Sequence, residues 1–256
     1  MTQDWIDTAH LAADAARAVT RRWFRRSPPV SHKAAASPIV TLADQQSEAA
    51  MRAIIRSRHP THGIHGEEEA DVVGEPGAPV WVLDPIDGTI AFASGKPLFT
   101  TLIALTVAGE TQVGVVDQSV TGERWLGVRG VGATLNGEPV RASGQSDLTV
   151  SRLSSTTPSM FTAAQAAAFE RLSSRVHVTS WGGDAYSYAL LATGTVDLVV
   201  EVGLSWYDWA PLTVLVEASG GVITDWQGRP LRPGDADVVA AASPALHAAA
   251  LAALQG

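Results

Sequence analysis

Apolar residues recur at spacings of three and four through the first 26 positions, at Ile6, Ala9, Ala13, Ala16, Val19 and Phe24. That period puts them on one stripe and predicts a helix over 2–26, stopped by Ser27-Pro28-Pro29. A polar loop with His32 and Lys33 follows, then a second predicted helix from about Ala43 to Arg58, ended by His59-Pro60. From Val80 the pattern changes. Val80-Trp81-Val82-Leu83 is a short apolar run of the kind that forms a buried strand, and 98–107, 112–117 and 124–128 read as further strands. Gly109-Glu110 supplies a turn, and Asn136-Gly137 within 131–140 is a two-residue hairpin signal.

The second half alternates element types. Residues 161–172, 185–192, 209–218 and the Ala-rich segment from Pro244 read as helices, and 175–180, 196–201 and 238–241 as strands. Strands with intervening helices in both halves imply sheets covered by helices, an α/β (α+β) class. Composition narrows the picture further. Hydrophobic residues make up 46% and charged residues 17% of 256, enough for a substantial core and unlike a disordered chain. A net charge of −8 argues against a nucleic-acid or anionic-membrane surface as partner. The absence of cysteine removes disulfides, thiolate metal sites and a cysteine nucleophile. No apolar stretch reaches the ~18 residues of a membrane span, and Met1-Thr2-Gln3-Asp4-Trp5 does not open a signal peptide. A soluble, cytoplasmic protein is the expectation.

The candidate chemistry is carboxylate. Glu67-Glu68-Glu69 follows Gly66, Asp84-Pro85-Ile86-Asp87-Gly88-Thr89 follows the strand at Leu83, and Asp208 stands between Tyr207 and Trp209 before a helix. Like charges gathered at strand ends raise one another's pKa. Hard divalent cations relieve that crowding, and oxygen ligands without thiolate select Mg²⁺, Mn²⁺ or Ca²⁺ over zinc. Pro85 stiffens the chain between Asp84 and Asp87. Gly88 permits a tight bend, and the helix that can start there offers N–H groups to phosphate. Each piece alone has a plainer reading: a turn at Asp84-Pro85, a solvated run at Glu67–Glu69, a helix cap at Asp208. Three such clusters at apolar boundaries together favour one shared site.

Gly66-Glu67-Glu68, Asp84-Pro85-Ile86-Asp87-Gly88-Thr89, Tyr207-Asp208-Trp209-Ala210-Pro211 and Glu217-Ala218-Ser219-Gly220-Gly221 closely resemble the inositol monophosphatase family, Mg²⁺-dependent and lithium-sensitive phosphomonoesterases. The likeness runs from about Lys33 to Gly228. It implies a layered αβαβα sandwich, here a single domain over 1–256 with halves of about 1–145 and 146–256, and a homodimer. It further implies two or three Mg²⁺ ions, with Mn²⁺ as a substitute, held by Glu67, Asp84, the Ile86 carbonyl, Asp87 and Asp208. Catalytic roles fall to Glu67, to Thr89, which orients the attacking water, and to Asp44, which hydrogen-bonds that threonine. Gly88 and Thr89 correspond to the phosphate's backbone donors.

Within that family, 92–105 and Trp181-Gly182-Gly183-Asp184-Ala185-Tyr186, followed by 196–201, look most like the histidinol-phosphate phosphatases. This implies a small phosphorylated metabolite as substrate, with Gly183, Asp184 and Glu201 around its leaving group. Asp184 and Glu201 can face the ammonium of histidinol, which a polyol lacks. Their plainer readings are a cap on the next helix for Asp184 and an arginine partner for Glu201. An inositol-phosphate phosphatase is the alternative substrate reading, and an inactive metal-binding relative the non-enzyme one. Tyr207 stands where the family usually has Trp, Ala91 where it often has Asn, and His65 where it usually has an apolar residue. His62, His65 and Glu67 could mimic a zinc site, but the carboxylates already specify a hard ion.

Overall fold

The computed structural model describes residues 2–26, 30–31 and 40–256; the expected stop at Ser27-Pro28-Pro29 and the loop residues His32 and Lys33 lie outside them. Helices α1 (Thr2–Trp23) and α2 (Leu42–Arg58) flank the short strands β1 (Val30–Ser31) and β2 (Val40–Thr41). Next come β3 (Gly63–Gly66), β4 (Val80–Asp87), the short helix α3 (Thr89–Ala93), β5 (Thr100–Val107), β6 (Glu110–Gln118), β7 (Glu123–Val128), β8 (Gly132–Leu135) and β9 (Glu138–Val140). Strands β3 to β9 pair in that order in one sheet, β3 parallel to β4 and the others antiparallel. The chain continues through β10 (Arg152–Ser155), α4 (Ala163–Ser173), β11 (Val178–Trp181), α5 (Asp184–Ala192), β12 (Leu198–Glu201), α6 (Trp206–Ala218), β13 (Val222–Thr224), β14 (Val238–Ala241) and α7 (Pro244–Gln255). Its strands form a second sheet in the order β11-β10-β12-β14-β13.

Alternation along the strands of each sheet sends side chains to two faces, and each face buries helices. Trp81, Leu83, Ile103 and Leu105 pack under the alanine stripe Ala9, Ala12, Ala13 and Ala16 of α1 and under Met51 and Ile55 of α2. Val82, Leu102, Ala104 and Val116 face the other way, onto Tyr188 and Leu191 of α5 and Trp209, Leu212 and Leu215 of α6. Those two helices also meet Val199, Val238 and Ala240 of the second sheet. The second sheet's outer face, with Leu153, Leu198 and Val200, is covered by Phe169 and Leu172 of α4 and Leu246 and Ala250 of α7. The layers are therefore αβαβα, with α5 and α6 between the sheets.

Helix α6 has no polar stripe because it is buried from both sides. It lies directly on the first sheet at Gly114 and Gly127, which face each other across β6 and β7. A Cβ on Gly127 would stand 2.5 Å from Leu215 Cα, and one on Gly114 2.3 Å from the Pro211 carbonyl oxygen. Strands β3, β10 and β13 escape the hydrophobic pattern. They are short, and β10 carries Ser154 and Ser155, which are buried although polar. The expected strand over 175–180 shifts to Val178–Trp181, and α6 begins at Trp206 rather than at Trp209.

Candidate metal and phosphate site

The site grows from an irregularity in β4. Proline has no N–H for a ladder, so a proline inside a central strand calls for a bulge. The pairing of β4 with β5 shifts register between Asp84 and Asp87, and the Thr101 hydroxyl donates to the Pro85 carbonyl at 2.8 Å. Asp84, 2% exposed, accepts the Ile86 N–H at 3.0 Å. Gly88 follows at φ 82°, in the left-handed region that favours glycine. A Cβ there would lie 3.1 Å from Asp184 Oδ2 and 3.3 Å from Phe99 Cα. Thr89 opens α3, and its hydroxyl donates to the Ile86 carbonyl at 3.1 Å.

Two helix starts complete the cluster. Asp87 Oδ2 accepts the Ala185 N–H of α5 at 2.7 Å, and Asp208 Oδ2 accepts the Ser205 N–H ahead of α6 at 2.7 Å. Capping and ligation are thus compatible in Asp208. Each of Asp84, Asp87 and Asp208 is fixed by one backbone N–H, and one oxygen from each lies within 4.8 Å of the others. Burial and mutual repulsion push their pKa values up. Asp84 rises well above the carboxylate range through burial and then Glu67, Asp87 and Asp208. Asp87 does so through burial and then Asp184 and Asp208. Asp208 is pushed up to about 7, chiefly by burial.

Glu67 stands outside that oxygen cluster at the end of β3, its N–H donating to the Leu83 carbonyl at 3.2 Å, and its charge adds to the rise of Asp84. The backbone of the acidic run is held from below, although the Glu69 side chain is exposed. The buried Glu48 carboxylate accepts the N–H groups of Glu68 and Glu69 at 2.8 and 3.0 Å. Its partner Arg52, at 2.8 Å, donates to the carbonyls of Glu69 and Ala70. Gly66 makes room for this pair, since a Cβ there would meet Glu48 Oε1 at 2.3 Å and Arg52 Nη2 at 2.6 Å.

A cavity of about 470 Å³ opens over these groups, lined by Glu67, Asp84, Ile86, Asp87, Gly88, Thr89, Gly183, Asp184 and Asp208 among others. Asp44 lies in the first turn of α2, 1% exposed, and its charge adds to the crowding at Asp84. Asp184 projects from the loop Gly182-Gly183-Asp184, whose φ values of 92°, 109° and 44° are all positive. It does not cap α5, because the Ala185 N–H goes to Asp87. Burial pushes Asp184 up to about 6.

Glu201 corrects the sequence-based picture. It is 2% exposed, does not line the cavity and has no arginine partner among the described residues. The Thr156 hydroxyl, which does line the cavity, donates to it. Burial pushes Glu201 up to about 7, with Asp184 adding to the rise. Glu201 thus stands behind Thr156, outside the cavity lining. His62 and His65 do not gather with Glu67: His62 Nδ1 accepts the Trp81 indole N–H at 3.1 Å, and His65 Nδ1 meets Asp71 at 2.9 Å. Among the described residues the metal-type cluster is Asp84, Asp87 and Asp208. Thr156, Thr157, Ser159 and Trp181 also line the cavity. Thr156, Thr157 and Ser159 were signalled only by the polar run from Ser154 to Ser159, and Trp181 only by its place at the head of the segment likened to the histidinol-phosphate phosphatases.

A model of the inositol monophosphatase family matches residues 1–256. The bifunctional phosphatase IMPL2 of Arabidopsis thaliana, a chloroplastic protein, is 44% identical over 218 residues, 85% of this chain and 63% of that protein. The chain thus spans just under two thirds of that relative. The histidinol-phosphatase of Chlorobaculum parvum is 33% identical over 230 residues, covering 90% of this chain and 88% of that one. The structure of an inositol monophosphatase from Zymomonas mobilis matches with a TM-score of 0.89 at 40% identity, covering 99% and 98% of the two chains.

Proposed function

The chain belongs to the inositol monophosphatase family and is a phosphoric monoester hydrolase; we propose that it hydrolyses histidinol phosphate to histidinol and inorganic phosphate with Mg²⁺. The observation that carries this reading is Asp184, a carboxylate in the cavity wall beyond the metal-type cluster, backed by the buried Glu201. A negative wall favours a leaving group bearing an ammonium, and a charge-assisted hydrogen bond to it exceeds a neutral one. The likeness to a histidinol-phosphatase supports the same assignment. A second reading, an inositol-phosphate substrate, draws on Thr156, Thr157 and Ser159, whose hydroxyls suit a polyol, and on the likeness to the Zymomonas mobilis structure.

The residues fit a hard divalent ion. Three carboxylates, each with one oxygen held by an N–H, bring oxygens together at a spacing whose repulsion a cation would relieve. We assign Asp84, Asp87 and Asp208 to one Mg²⁺ and Glu67, Asp84 and the Ile86 carbonyl to another, with Mn²⁺ as a substitute. When bound, such ions neutralise phosphate charge and acidify water. The chain's own groups supply positioning. The Thr89 hydroxyl donates its hydrogen bond to the Ile86 carbonyl, so its oxygen is left to accept from an attacking water. The N–H groups of Gly88 and Thr89 meet the phosphate, and Asp44 and Glu67 hold the negative field around Asp84. Gly183, at φ 109°, turns the chain so that Asp184 faces the leaving group.

We take residues 1–256 as one catalytic domain, because Val82, Leu102 and Trp125 of the first half share a core with Tyr188, Val199 and Trp209 of the second. We retain the homodimer implied by the family, to be tested by light scattering. The metal assignment is tested by phosphate release after exhaustive chelation. Activity should vanish and return with Mg²⁺, and full activity in excess EDTA would end this reading.

A further inference from the structure

The catalytic cavity has two chemical zones. Its floor is carboxylate, while its more exposed lining combines three apolar side chains, Ile90, Leu98 and Trp181, with Ser94, Lys96 and Ser159. Ile90 is 60% and Trp181 45% exposed, so two of the eight exposed large apolar side chains among the described residues line one opening. Isolated exposed apolar residues need no explanation, but apolar groups gathered at a cavity mouth mark a contact surface. A polyol gains little from those three apolar side chains. A flat ring gains buried area and stacking.

Trp181 is held as a platform would be. The next residue, Gly182, donates its N–H to the carbonyls of Ser155 and Thr156 at 2.9 and 3.0 Å, which fixes the backbone. Behind the indole lies Phe169, with ring centroids 5.2 Å apart, and behind that Phe161 at 4.8 Å. These rings border a second cavity of about 350 Å³, for which Trp181 is a shared wall. Trp181 therefore packs its ring on Phe169 and also lines the catalytic cavity. Asp184, three residues on, brings negative charge to the same cavity.

We propose that Trp181 is a stacking platform for the leaving group, selecting phosphate esters of alcohols that carry a flat aromatic ring over those of polyols. The inference rests on the phosphatase reading of this site and deepens its substrate class. A ring carrying positive charge gains further from the indole face, since cations are drawn to aromatic quadrupoles. Trp181 binds the departing group and takes no part in proton or metal chemistry, so its effect falls on KM rather than kcat.

The test measures kcat and KM for Trp181→Ala, Trp181→Phe and the parent with three esters: histidinol phosphate, phenyl phosphate and glycerol 2-phosphate. In Trp181→Ala, KM for the two ring esters should rise about tenfold, the scale of one lost aromatic contact with its buried area. KM for glycerol 2-phosphate should stay within about twofold, below the range of a lost aromatic contact. Trp181→Phe should restore most of the ring-ester affinity. Equal rises for all three esters, or none, would overturn the proposal. Should Trp181→Ala not fold, Trp181→Leu gives the same comparison, with apolar volume but no ring face. If the parent ignores histidinol phosphate, the histidinol assignment fails on its own, and phenyl phosphate against glycerol 2-phosphate still decides the role of Trp181.

Discussion

Replacing Asp208 by Asn should make the metal-free protein more stable while removing its activity. Asp208 lies in contact range of Asp84 and Asp87, and burial with its acidic neighbours lifts it from 3.8 to about 7. At 1.36 kcal/mol per pKa unit, that rise corresponds to about 4 kcal/mol lost when the group ionises in the folded state. This is an upper bound, because neighbouring carboxyls can take up protons to relax the crowding. Asn keeps an oxygen that can accept the Ser205 N–H, so the start of α6 is preserved. The pH dependence has a fixed sign. The folded chain holds this proton more tightly than the unfolded chain, so stability falls as pH rises from 3.8 towards 7 and the loss is complete above. The gain in Asp208→Asn should therefore be fullest near pH 8 and fade towards pH 4. Scanning calorimetry of chelated protein measures it, at about 2–4 °C per kcal/mol for a domain of this size. Added Mg²⁺ should raise the parent's Tm and the variant's less, since ligand binding to the folded state stabilises it. An unchanged or lowered Tm for chelated Asp208→Asn at pH 8 would refute the crowding.

Gly66→Ala should destabilise by about 3–5 kcal/mol, the range for disrupting a buried ion pair, because its Cβ would enter Glu48 and Arg52; urea denaturation checks this, and kcat should fall as Glu67 moves. Thr89→Ala should lower kcat by tenfold or more with little change in KM, since it removes the oxygen that positions water; steady-state kinetics at saturating Mg²⁺ decides. Asp184→Asn should reduce kcat/KM for histidinol phosphate by about 1–3 kcal/mol while sparing glycerol 2-phosphate; equal losses would assign Asp184 a general structural role.

The layers were legible wherever hydrophobic periodicity was strong. The alanine stripe of α1 and the run Val80-Trp81-Val82-Leu83 announce a helix and a buried strand, and the structure has both. Strands β3 and β10 were not legible, because Gly63-Ile64-His65-Gly66 and Arg152-Leu153-Ser154-Ser155 hold too few apolar residues to show a period. The convergence of Asp84, Asp87 and Asp208 was anticipated because each stands at an apolar boundary. The support of the segment from Glu67 to Ala70 was not, since Glu48 and Arg52 look like an ordinary exposed pair four apart on a helix. The position of Glu201 behind Thr156 depends on how β10 and β12 align, a long-range pairing that no local pattern encodes.

The account stands most directly on substrate preference. The measurement is kcat/KM for histidinol phosphate and for inositol 1-phosphate, side by side, in saturating Mg²⁺. An acidic wall at Asp184 should favour the ammonium-bearing ester by at least about tenfold, the low end for a hydrogen bond to a charged group. A ratio near one, or a preference for the inositol ester, would contradict the histidinol assignment and make the polyol reading the better one.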